Sequence, residues 1–485
     1  MLNGLLEYVI RPGVGNLAAY LAAHVLLCLL PAFVIAGAMT ALIPKSSITR
    51  FLGRNTPGRV SYPAAALAGS VLAVCSCTIV PLFAGIYRKG AGIGPAVTFL
   101  FFAPAANILA LVYTGSVIGA DLAFARFALS LAFGIGIGLI MATIFHADDA
   151  AHDRRTDSAF GAHGGERLNR GALAFMMAWV ALLLAGTLKL GWLTGSHAQL
   201  SFAAGWAEPL QAGLDRLVPH DAARGEEGVT IQGVALIVLL CAIGACAWLG
   251  LERIHEGFNR WTRVTGALVA ATLLVAALDL RTTPGGLSMG ITGKFLAVLA
   301  ALGLLRQLGR RYLSEDEVRD WLWESWRFVK QIFPLLVVGV FVVGMVRGLV
   351  RPEWVQAVAG HNTIGGNLAG VVFGVFMYFP TLVEVPIARM FLDLGMHRGP
   401  LLAYLMSDPE LSLQSILMIT AIMGRAKTWA YVGWVAVFSA AAGLTYGAWI
   451  DGANPVTLAA GVALFLAILA GALRMISRSH APAAT

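Results

Sequence analysis

The chain has 485 residues, of which 58% are hydrophobic and only 12% are charged, and its mean hydropathy is +0.77. Because soluble domains carry about 25% charged residues, this composition excludes an ordinary soluble protein and predicts a lipid bilayer as its surroundings. The net charge of +8 does not indicate a nucleic-acid partner, since the basic residues cluster in short loops between apolar blocks, as the positive-inside rule describes.

Seven long apolar blocks follow one another along the chain, most of them near the ~20 residues that a helix needs to cross a bilayer. They cover residues 17–42, 124–144, 172–190, 231–251, 267–280, 331–346 and 455–473. No cleavable signal peptide is expected, because the first block is much longer than the apolar region of such a peptide. The pattern predicts a multi-pass membrane protein.

A weak internal repeat organises these blocks. Shifting the chain by 305 residues aligns residues 62–119 with residues 367–424 without a gap. Glycines and prolines coincide in this alignment at the pairs Gly69 and Gly374, Pro81 and Pro386, Gly90 and Gly395, Pro104 and Pro409, and Gly119 and Gly424. Because these two residue types constrain the backbone most strongly, the coincidences predict two structural repeats, roughly residues 17–193 and 328–475.

The basic residues favour opposite orientations of the two repeats in the membrane. If the proline-containing elements 62–87 and 367–392 are re-entrant, 23 of the 34 basic residues fall on one face, which the positive-inside rule assigns to the cytoplasm. If every element crosses the membrane, the basic residues are instead divided between both faces. The next elements, 95–118 and 400–423, are also interrupted by proline and satisfy the charge rule almost as well, so which element turns back stays open.

We therefore predict an all-α polytopic membrane protein with two inverted-topology repeats containing broken or re-entrant helices, about 11 spans and two re-entrant elements. The first repeat is expected within residues 1–193, including a cytoplasmic loop at 147–170. Residues 194–327 are predicted to form an external loop and three linking spans, and residues 328–485 the second repeat. Inverted repeats with broken helices are typical of secondary transporters, which bind substrate near the midplane.

The first broken element carries two closely spaced thiols at Cys75 and Cys77, separated by Ser76 and followed by Thr78 and Pro81. Side chains at i and i+2 of a regular helix point about 200° apart, but an unwound segment near the proline lets the thiols converge. Paired thiolates suit soft partners such as Cu(I), Zn(II) or trivalent arsenic. The alternative is that these small residues only pack against another helix. The other cysteines, Cys28, Cys241 and Cys246, lie in apolar blocks, where cysteine usually acts as a small hydrophobe.

The matching element of the second repeat carries Thr381, Glu384 and Arg389. An ionisable residue in the middle of an apolar element is a functional hypothesis by default, so Glu384 is predicted to take up a coupling proton or to face the substrate. The alternative is a structural ion pair between Glu384 and Arg389, five residues later. Thr381 is assigned to the substrate site because its stretch matches the Cys-Ser-Cys segment.

The next pair of elements adds Asn107 in the first repeat and Asp408, Glu410 and Ser412 in the second. Two carboxylates inside an apolar element cost free energy unless they are paired, hydrated or serve a function. We therefore predict that Asp408 and Glu410 contribute to proton coupling or to cation contact. Asn107 and Ser412, which face each other in the alignment, are predicted to contact the substrate. The alternative is that Asp408 caps a proline-initiated helix.

From the Cys-Ser-Cys run onward, the sequence resembles a family of predicted permeases that includes organoarsenical efflux permeases. The resemblance rests on the runs Cys-Ser-Cys at 75–77, Pro-Leu at 81–82, Gly-Ile-Tyr-Arg-Lys-Gly at 85–90 and Ala-Pro-Ala-Ala-Asn at 103–107. The duplicated architecture extends the likeness over most of the chain. The resemblance implies membrane export, in some members of trivalent methylated or aromatic arsenicals, with the cysteines as thiol ligands for arsenic.

Residues and resemblance together predict a secondary permease of the bacterial inner membrane, not an enzyme, that exports a thiophilic small solute through the Cys-Ser-Cys site with carboxylate-based proton coupling. No cofactor or resident metal is expected, and the sequence contains no phosphate-binding loop for ATP. The partners are the small-molecule substrate and the bilayer, while the oligomeric state stays open. The alternatives are a membrane thiol–disulfide oxidoreductase, or a permease for a sulfur compound or a soft metal ion.

Overall fold

The computed structural model describes residues 10–23, 25–72, 76–106, 108–160, 170–187, 191–218, 228–347, 352–376 and 384–479. Most of these residues are helical, as predicted, and three short strands form a small sheet. By contacts, the chain groups into two compact units, residues 1–44, 77–86 and 165–349 in the first and residues 45–76, 87–164 and 350–485 in the second. The predicted segments 1–193, 194–327 and 328–485 follow chain order, whereas each unit takes residues from both repeats.

The helices are numbered in chain order. The first twelve are α1 (Arg11–Ala23), α2 (Leu30–Leu42), α3 (Lys45–Leu52), α4 (Gly58–Leu72), α5 (Ser76–Arg88), α6 (Ile93–Ala105), α7 (Ile108–Val117), α8 (Ala120–Ile144), α9 (His146–Phe160), α10 (Arg170–Thr187), α11 (Gly191–Thr194) and α12 (Ala207–Leu217). The others are α13 (Ile231–Leu251), α14 (Arg260–Ala277), α15 (Gly293–Tyr312), α16 (Glu315–Arg347), α17 (Pro352–Ala359), α18 (Ile364–Phe376), α19 (Glu384–Asp393), α20 (Arg398–Leu411), α21 (Leu413–Met423), α22 (Arg425–Ile450) and α23 (Pro455–Ser479).

Six spans among the described residues are long and apolar enough to cross a membrane. They are Ile93–Val117, made of α6 and α7, then α8, α10, α13, Glu315–Met345 within α16, and α22, with mean hydropathies from 1.3 to 2.6. The bent pair of α1 and α2 adds a seventh if its two parts form one span. These helices confirm a multi-pass helical membrane protein, while the total of about 11 spans with two re-entrant elements stays a prediction.

In the first unit, α1 and α2 pack against the long helix α16. The backbones approach closely at Gly37, where an added Cβ would clash with Ser325 of α16. Trp321 of α16 also donates its indole N–H to the carbonyl oxygen of Val34, 3.0 Å away. Small residues at crossing points are a common solution for packing helices in lipid, because the lipid tails are as apolar as the side chains.

The apolar block at 17–42 is bent rather than straight. Arg11–Ala22 and Leu26–Leu42 meet at an angle of 49°, and a π-helix at Val25–Leu29 lies between α1 and α2. Pro31 follows at the start of α2. Its missing N–H donor and the wider π-type turn both interrupt the regular hydrogen-bond ladder, which explains the bend.

A small antiparallel sheet in the first unit accompanies the helices, and the fold stays consistent with the predicted all-α class. Its strands are β1 (Ser196–Ala203), β2 (Asp279–Thr283) and β3 (Gly286–Thr292), in the order β1-β3-β2. A tight turn at Pro284 and Gly285 joins β2 to β3, and Gly285 has the φ of +80° that favours glycine. The first part of the segment 194–327, predicted as an external loop, therefore contains β1 and α12, and its external location stays a prediction. Every residue of β1 is exposed, so no alternating apolar pattern marks the strand in the sequence.

The second unit contains corresponding helices from both repeats. Helices α6, α7 and α8 begin 305 residues before α20, α21 and α22, respectively. The glycines that precede α6 and α20 repeat the same backbone conformation, with φ of +90° at Gly90 and +89° at Gly395. The starts of these helices therefore recur at the same 305-residue spacing at which glycines and prolines align in the sequence.

Close packing of helices recurs in the two copies. A Cβ added at Gly138 would lie 2.7 Å from the carbonyl oxygen of Gly94, and one added at Gly443 would lie 2.6 Å from that of Gly399. Gly138 and Gly443 are themselves 305 residues apart. Each glycine therefore lets its long helix, α8 or α22, approach the broken helix before it, α6 or α20, at a distance that a larger residue does not permit.

Helices α8 and α22 contact each other within the second unit. Asp121, near the start of α8, accepts a hydrogen bond of 2.8 Å from the hydroxyl of Tyr446 near the end of α22. Just beyond the end of α8, an oxygen of Asp148 lies 3.7 Å from the Nζ of Lys427 near the start of α22. The start of each helix therefore lies near the end of the other.

Part of the segment 147–170, predicted as a cytoplasmic loop, is the helix α9, and its location on the cytoplasmic side stays a prediction. The carboxylate of Asp149 accepts a hydrogen bond of 3.0 Å from the backbone N–H of Ile93 at the start of α6, and the ring of His152 stacks on Tyr87 with centroids 4.2 Å apart. Burial raises the pKa of Asp149, while the Ile93 N–H lowers it. The polar composition of α9 resembles a solvated linker, which hides the helix in the sequence. Residues 161–169 lie outside the described residues.

Candidate functional site

An arginine and a glutamate form a fully buried ion pair in the second unit. Arg126 Nη2 in α8 lies 2.6 Å from Oε1 of Glu384, which begins α19, and both side chains are 0% exposed. Burying charges costs several kcal/mol per ion, which the attraction between them must offset. Removing either partner leaves the other charge uncompensated, so neither residue can be lost alone without a large loss of stability.

The guanidinium of Arg126 also stabilises the break between α6 and α7. Its Nε donates to the carbonyl oxygen of Ala105, the last residue of α6, over 3.1 Å. The last carbonyls of a helix lack donors within the helix, so Arg126 supplies one. Its Nη1 lies 3.5 Å from Thr114 Oγ1 in α7. One side chain thus contacts three helices, α6, α7 and α19.

A second buried pair joins α20 to α22. Tyr431 donates its hydroxyl to Glu410 Oε2 over 2.8 Å, and both side chains are buried. Glu410 lies within electrostatic range of both Arg126 and Glu384, so the two pairs form one cluster. We call Arg126, Glu384, Glu410 and Tyr431 the polar centre. It contains one guanidinium and two carboxyl groups, and none of its side chains is exposed beyond 3%.

The polar centre joins equivalent positions of the two repeats. Ala105 and Glu410 are 305 residues apart, and so are Arg126 and Tyr431. In each copy, a side chain from the long helix reaches the end of the broken helix before it, because Arg126 contacts Ala105 and Tyr431 contacts Glu410. The backbone arrangement is therefore duplicated, whereas the chemical groups differ.

Further polar side chains are buried near the end of α20. Asp408 is 0% exposed and does not cap a helix, the alternative raised by the sequence, because α20 continues past it to Leu411. Ser412, which precedes α21, donates its hydroxyl to Ser415 over 2.7 Å. Gln414 is also 0% exposed, and its amide has no hydrogen-bond partner among the described residues. The sequence analysis did not single out Gln414, although a buried amide in an apolar helix is itself a signal.

The ion pair between Glu384 and Arg389, which the sequence raised as an alternative, is not present in the structure. The side chain of Arg389 is 52% exposed, and its Nε lies 3.2 Å from an oxygen of Asp393 on the same helix. Glu384 pairs instead with Arg126, which the sequence analysis missed. The signal was present, because a single arginine within the apolar block 124–144 is a functional hypothesis by the same rule that singles out Glu384.

The predicted thiol site falls mostly outside the described residues. Cys75, Asn107 and Thr381 lie outside them, and the side chains of Ser76 and Cys77, at the start of α5, are likewise not described. The structure therefore neither brings these side chains together nor separates them, and their roles stay predictions.

Thr78, the next residue along α5, is buried in the first unit and contacts a third cysteine. Its Oγ1 lies 2.6 Å from Cys28 Sγ, within the π-helix Val25–Leu29. The sequence analysis assigned Cys28 the role of a small hydrophobe. The structure instead places this thiol beside the residue that follows Cys77 in the chain.

Two other polar networks of the second unit are partly exposed, unlike the polar centre. Arg398 Nη1 lies 2.9 Å from Asp121 Oδ2, which also accepts the hydroxyl of Tyr446, and the side chains of Arg398 and Asp121 are 30% and 33% exposed. In the other network, Lys427 Nζ lies 3.4 Å from the hydroxyl of Tyr87. Water screens exposed ion pairs, so these contacts contribute less to stability than buried ones.

One family and two curated relatives are similar to the chain over different lengths. Residues 13–448 match the ArsP_1 family, described as a predicted permease. UPF0718 protein MJ0584 of Methanocaldococcus jannaschii is 30% identical over 439 residues, which are 90% of this chain and 96% of that protein. UPF0718 protein YraQ of Escherichia coli is 30% identical over 112 residues, which are 23% of this chain and 32% of that protein. No solved structure matches the chain.

Proposed function

Because the chain belongs to the ArsP_1 predicted permease family, we propose that it is a secondary permease that exports a thiophilic small solute, of the trivalent organoarsenical type, across a bacterial inner membrane. Membership makes the chain a membrane transporter for a small molecule, and the helices that are able to span a bilayer agree with a multi-pass protein. The solute class, the direction of transport and the coupling ion are the proposal.

The observation that carries the proposal is the polar centre. Ionisable groups inside a membrane protein are costly and usually mark a substrate pathway or a proton relay. Here a guanidinium and two carboxyl groups are buried together. With both carboxyl groups ionised, Arg126, Glu384 and Glu410 carry one net negative charge. Uptake of one proton makes the cluster neutral, which suits a centre that binds and releases a proton in each transport cycle.

We assign the exchangeable proton to Glu410. Glu384 has the guanidinium of Arg126 at 2.6 Å, whereas the direct side-chain partner of Glu410 is the neutral hydroxyl of Tyr431. Among the described residues, no cation lies within salt-bridge distance of Glu410. Protonation of Glu410 therefore removes an uncompensated charge, while protonation of Glu384 would break an ion pair. The coupling set predicted from Glu384, Asp408, Glu410 and Arg389 accordingly gains Arg126, and Arg389 has the weakest claim to a place in it.

The solute class is proposed from Cys75 and Cys77. Thiolates are preferred ligands of soft cations, and the Cys-Ser-Cys run carries the resemblance to organoarsenical efflux permeases. The other predicted substrate contacts are Ser76, Thr78, Asn107, Thr381 and Ser412. Thr78 and Ser412 are buried and carry hydroxyl groups, and both properties suit a solute site inside a membrane protein.

The proposal includes an inverted arrangement of the two repeats. Its support is that α8 and α22, which are equivalent helices, each start near the end of the other. Phe133 and Phe438 are equivalent residues 305 positions apart, and their ring centroids are 4.8 Å from each other. Equivalent residues in contact are expected on a pseudo-two-fold axis, the symmetry that relates inverted repeats in secondary transporters.

Uptake of a trivalent phenylarsenical into everted membrane vesicles tests the proposed solute class. We expect uptake with the wild type and nearly complete loss with Cys75→Ser/Cys77→Ser. The matched control, Cys241→Ser/Cys246→Ser, removes the same number of thiols from α13, where Cys241 is exposed. We expect the control to take up the arsenical at the wild-type rate.

Two outcomes would change the proposal in different ways. Equal uptake by the wild type and the Cys75/Cys77 double variant would contradict the thiol-ligand role. No uptake by a folded wild-type protein would remove the arsenical class while leaving the family assignment intact. The same vesicles would then be tested with sulfur compounds and soft metal ions.

A further inference from the structure

A cavity of about 520 Å³ lies in the first unit, and none of the residues of the polar centre lines it. The end of α15 and the start of α16 line it, together with Phe175 of α10. Phe175 packs edge to face on Trp321 of α16, with ring centroids 4.9 Å apart, and Leu305 extends this apolar wall. The cavity thus offers a preformed apolar surface between three helices.

Two arginines in the cavity lining are available to bind a negative charge. Arg306 and Arg310 lie four residues apart on α15 and are both exposed. In the described part of the chain, no ion pair joins either of them to an acidic residue. Arg319 and Arg327 on α16 differ, because each pairs with an acidic residue of its own helix.

One acidic residue, Glu315, also lines the cavity. It lies in the first turn of α16, four residues beyond the basic end of α15. Its single charge does not cancel those of Arg306 and Arg310, so the lining keeps a net positive charge. The site therefore favours an anionic group with an apolar part.

The exposed surface of α15 changes from apolar to basic at the cavity. Leu296, Leu299 and Leu304 are 49%, 49% and 46% exposed, as expected of side chains in contact with lipid tails. Arg306 and Arg310 follow within the next two turns. Such a change is expected of a helix that meets the boundary between the hydrocarbon core and the lipid headgroups.

We propose that this cavity binds the headgroup of an anionic phospholipid. Its phosphate lies between Arg306 and Arg310, and one acyl chain follows the exposed leucines of α15. Charge complementarity, the apolar wall and the change from exposed leucines to arginines along α15 each favour this occupant. Basic pockets between membrane helices commonly take anionic headgroups. A free phosphate would use the two arginines but neither the aromatic wall nor the leucines.

Lipid retention by the purified full-length protein tests this site. The protein is reconstituted in an equimolar mixture of phosphatidylglycerol and phosphatidylcholine and purified again, and the retained lipid is counted by mass spectrometry. We expect the wild type to retain phosphatidylglycerol over phosphatidylcholine. We expect Arg306→Gln/Arg310→Gln to weaken this retention about 30-fold, since each basic side chain near a bilayer contributes measurably to binding.

The matched control is Arg319→Gln/Arg327→Gln, which removes two nearby arginines that already have acidic partners. We expect it to retain phosphatidylglycerol as the wild type does. Equal retention by the wild type and Arg306→Gln/Arg310→Gln would overturn the proposal. The preference of the wild type is measured without any variant, and its absence would overturn the proposal even if the double variant does not fold.

Competition with soluble anions separates the lipid from a free phosphate. We add glycerol phosphate and inorganic phosphate to the wild type during the second purification. The proposal expects neither anion to displace phosphatidylglycerol at concentrations comparable to that of the lipid. Displacement by glycerol phosphate at such concentrations would show a site for soluble phosphates and overturn the lipid assignment.

Discussion

The two halves of the polar centre share a backbone design and differ in chemistry. In the first copy, Arg126 reaches the carbonyl oxygen of Ala105 at the end of α6, and in the second, Tyr431 reaches the carboxylate of Glu410 at the end of α20. The glycines and prolines that determine backbone geometry recur in both copies, whereas the groups at the contact do not. The two sets of helices therefore share their spacing along the chain, while the groups at the contact differ, with a cation from the long helix in one copy and an acid on the broken helix in the other.

Among the proposed substitutions, removing the guanidinium of Arg126 is expected to have the largest effect on stability. Arg126→Gln leaves Glu384 buried without its cation, so we expect the free energy of unfolding to fall by about 3–5 kcal/mol. Arg126→Gln/Glu384→Gln removes both charges and should recover most of this loss. Thermal unfolding of the purified proteins measures both variants.

The control for this pair is Arg389→Gln, because Arg389 is half exposed and its ion pair in the described part of the chain is with Asp393. We expect its free energy of unfolding to change by less than about 0.5 kcal/mol. A double variant that is no more stable than Arg126→Gln would contradict the buried pair as the source of the loss.

Adding a methyl group at Gly138 or Gly443 tests whether the two copies pack alike. Each added Cβ would meet a backbone carbonyl of the neighbouring broken helix below 3 Å, so we expect each Gly→Ala variant to lose about 1–3 kcal/mol. The account expects similar losses at the two sites. Gly433→Ala on α22 is the control, because, apart from its own helix backbone and chain neighbours, no atom of the described residues lies within 4 Å of its added Cβ. Thermal unfolding that shows a loss at one of the two glycines alone would contradict equal packing.

Tyr431→Phe removes the hydroxyl group that the second copy contributes to the polar centre. The variant leaves the buried Glu410 without its hydroxyl donor, so we expect a loss of about 1–3 kcal/mol. Tyr446→Phe is the comparison, because Asp121 keeps Arg398 and contact with water when the hydroxyl of Tyr446 is removed. We expect it to cost less than about 1 kcal/mol. The reverse order in denaturant unfolding would argue against a buried polar centre.

The smallest expected effect concerns Asp149, which joins α9 to the start of α6 in the first copy. Burial raises the pKa of Asp149 above its value in the unfolded chain. Its contribution to stability is therefore present below the unfolded pKa and lost as the pH rises through the folded pKa. Asp149→Asn keeps an acceptor for the Ile93 N–H without a charge.

We expect the Tm of Asp149→Asn to vary less between about pH 4 and pH 7 than that of the wild type. The difference between the two proteins should stay below about 2 °C. Thermal unfolding over this pH range checks the prediction. A steeper dependence on pH in the variant than in the wild type would show that the sign of the Asp149 effect is wrong.

The recurrence of glycine and proline predicts much of the fold of the second unit. Pairs such as Gly90 and Gly395 align the two copies in the sequence, and the helices that follow them begin 305 residues apart. The sheet and α9 are not predictable in the same way. β1 is exposed along its length and α9 is polar, so neither shows the apolar periodicity from which secondary structure is read.

The polar centre is only half predictable from the sequence. Glu384 and Glu410 stand out because they are acids inside proline-interrupted apolar elements. Arg126 is also visible as a single arginine in an apolar block, but its contact with Glu384 joins distant parts of the chain, and Tyr431 has no such signal. Tertiary packing determines such pairs, and a single sequence carries no periodic signal for them. The contact of Cys28 with Thr78 could not be predicted for the same reason, since only the fold brings these two residues together.

The central claim is that the polar centre couples a proton to movement of the solute. Uptake of the trivalent phenylarsenical into everted vesicles driven by a pH gradient tests it most directly, alongside exchange of the solute without a gradient. We predict that Glu410→Gln abolishes gradient-driven uptake and retains exchange, because the neutral amide occupies the place of the protonated acid. Gradient-driven uptake by Glu410→Gln at the wild-type rate would contradict the claim.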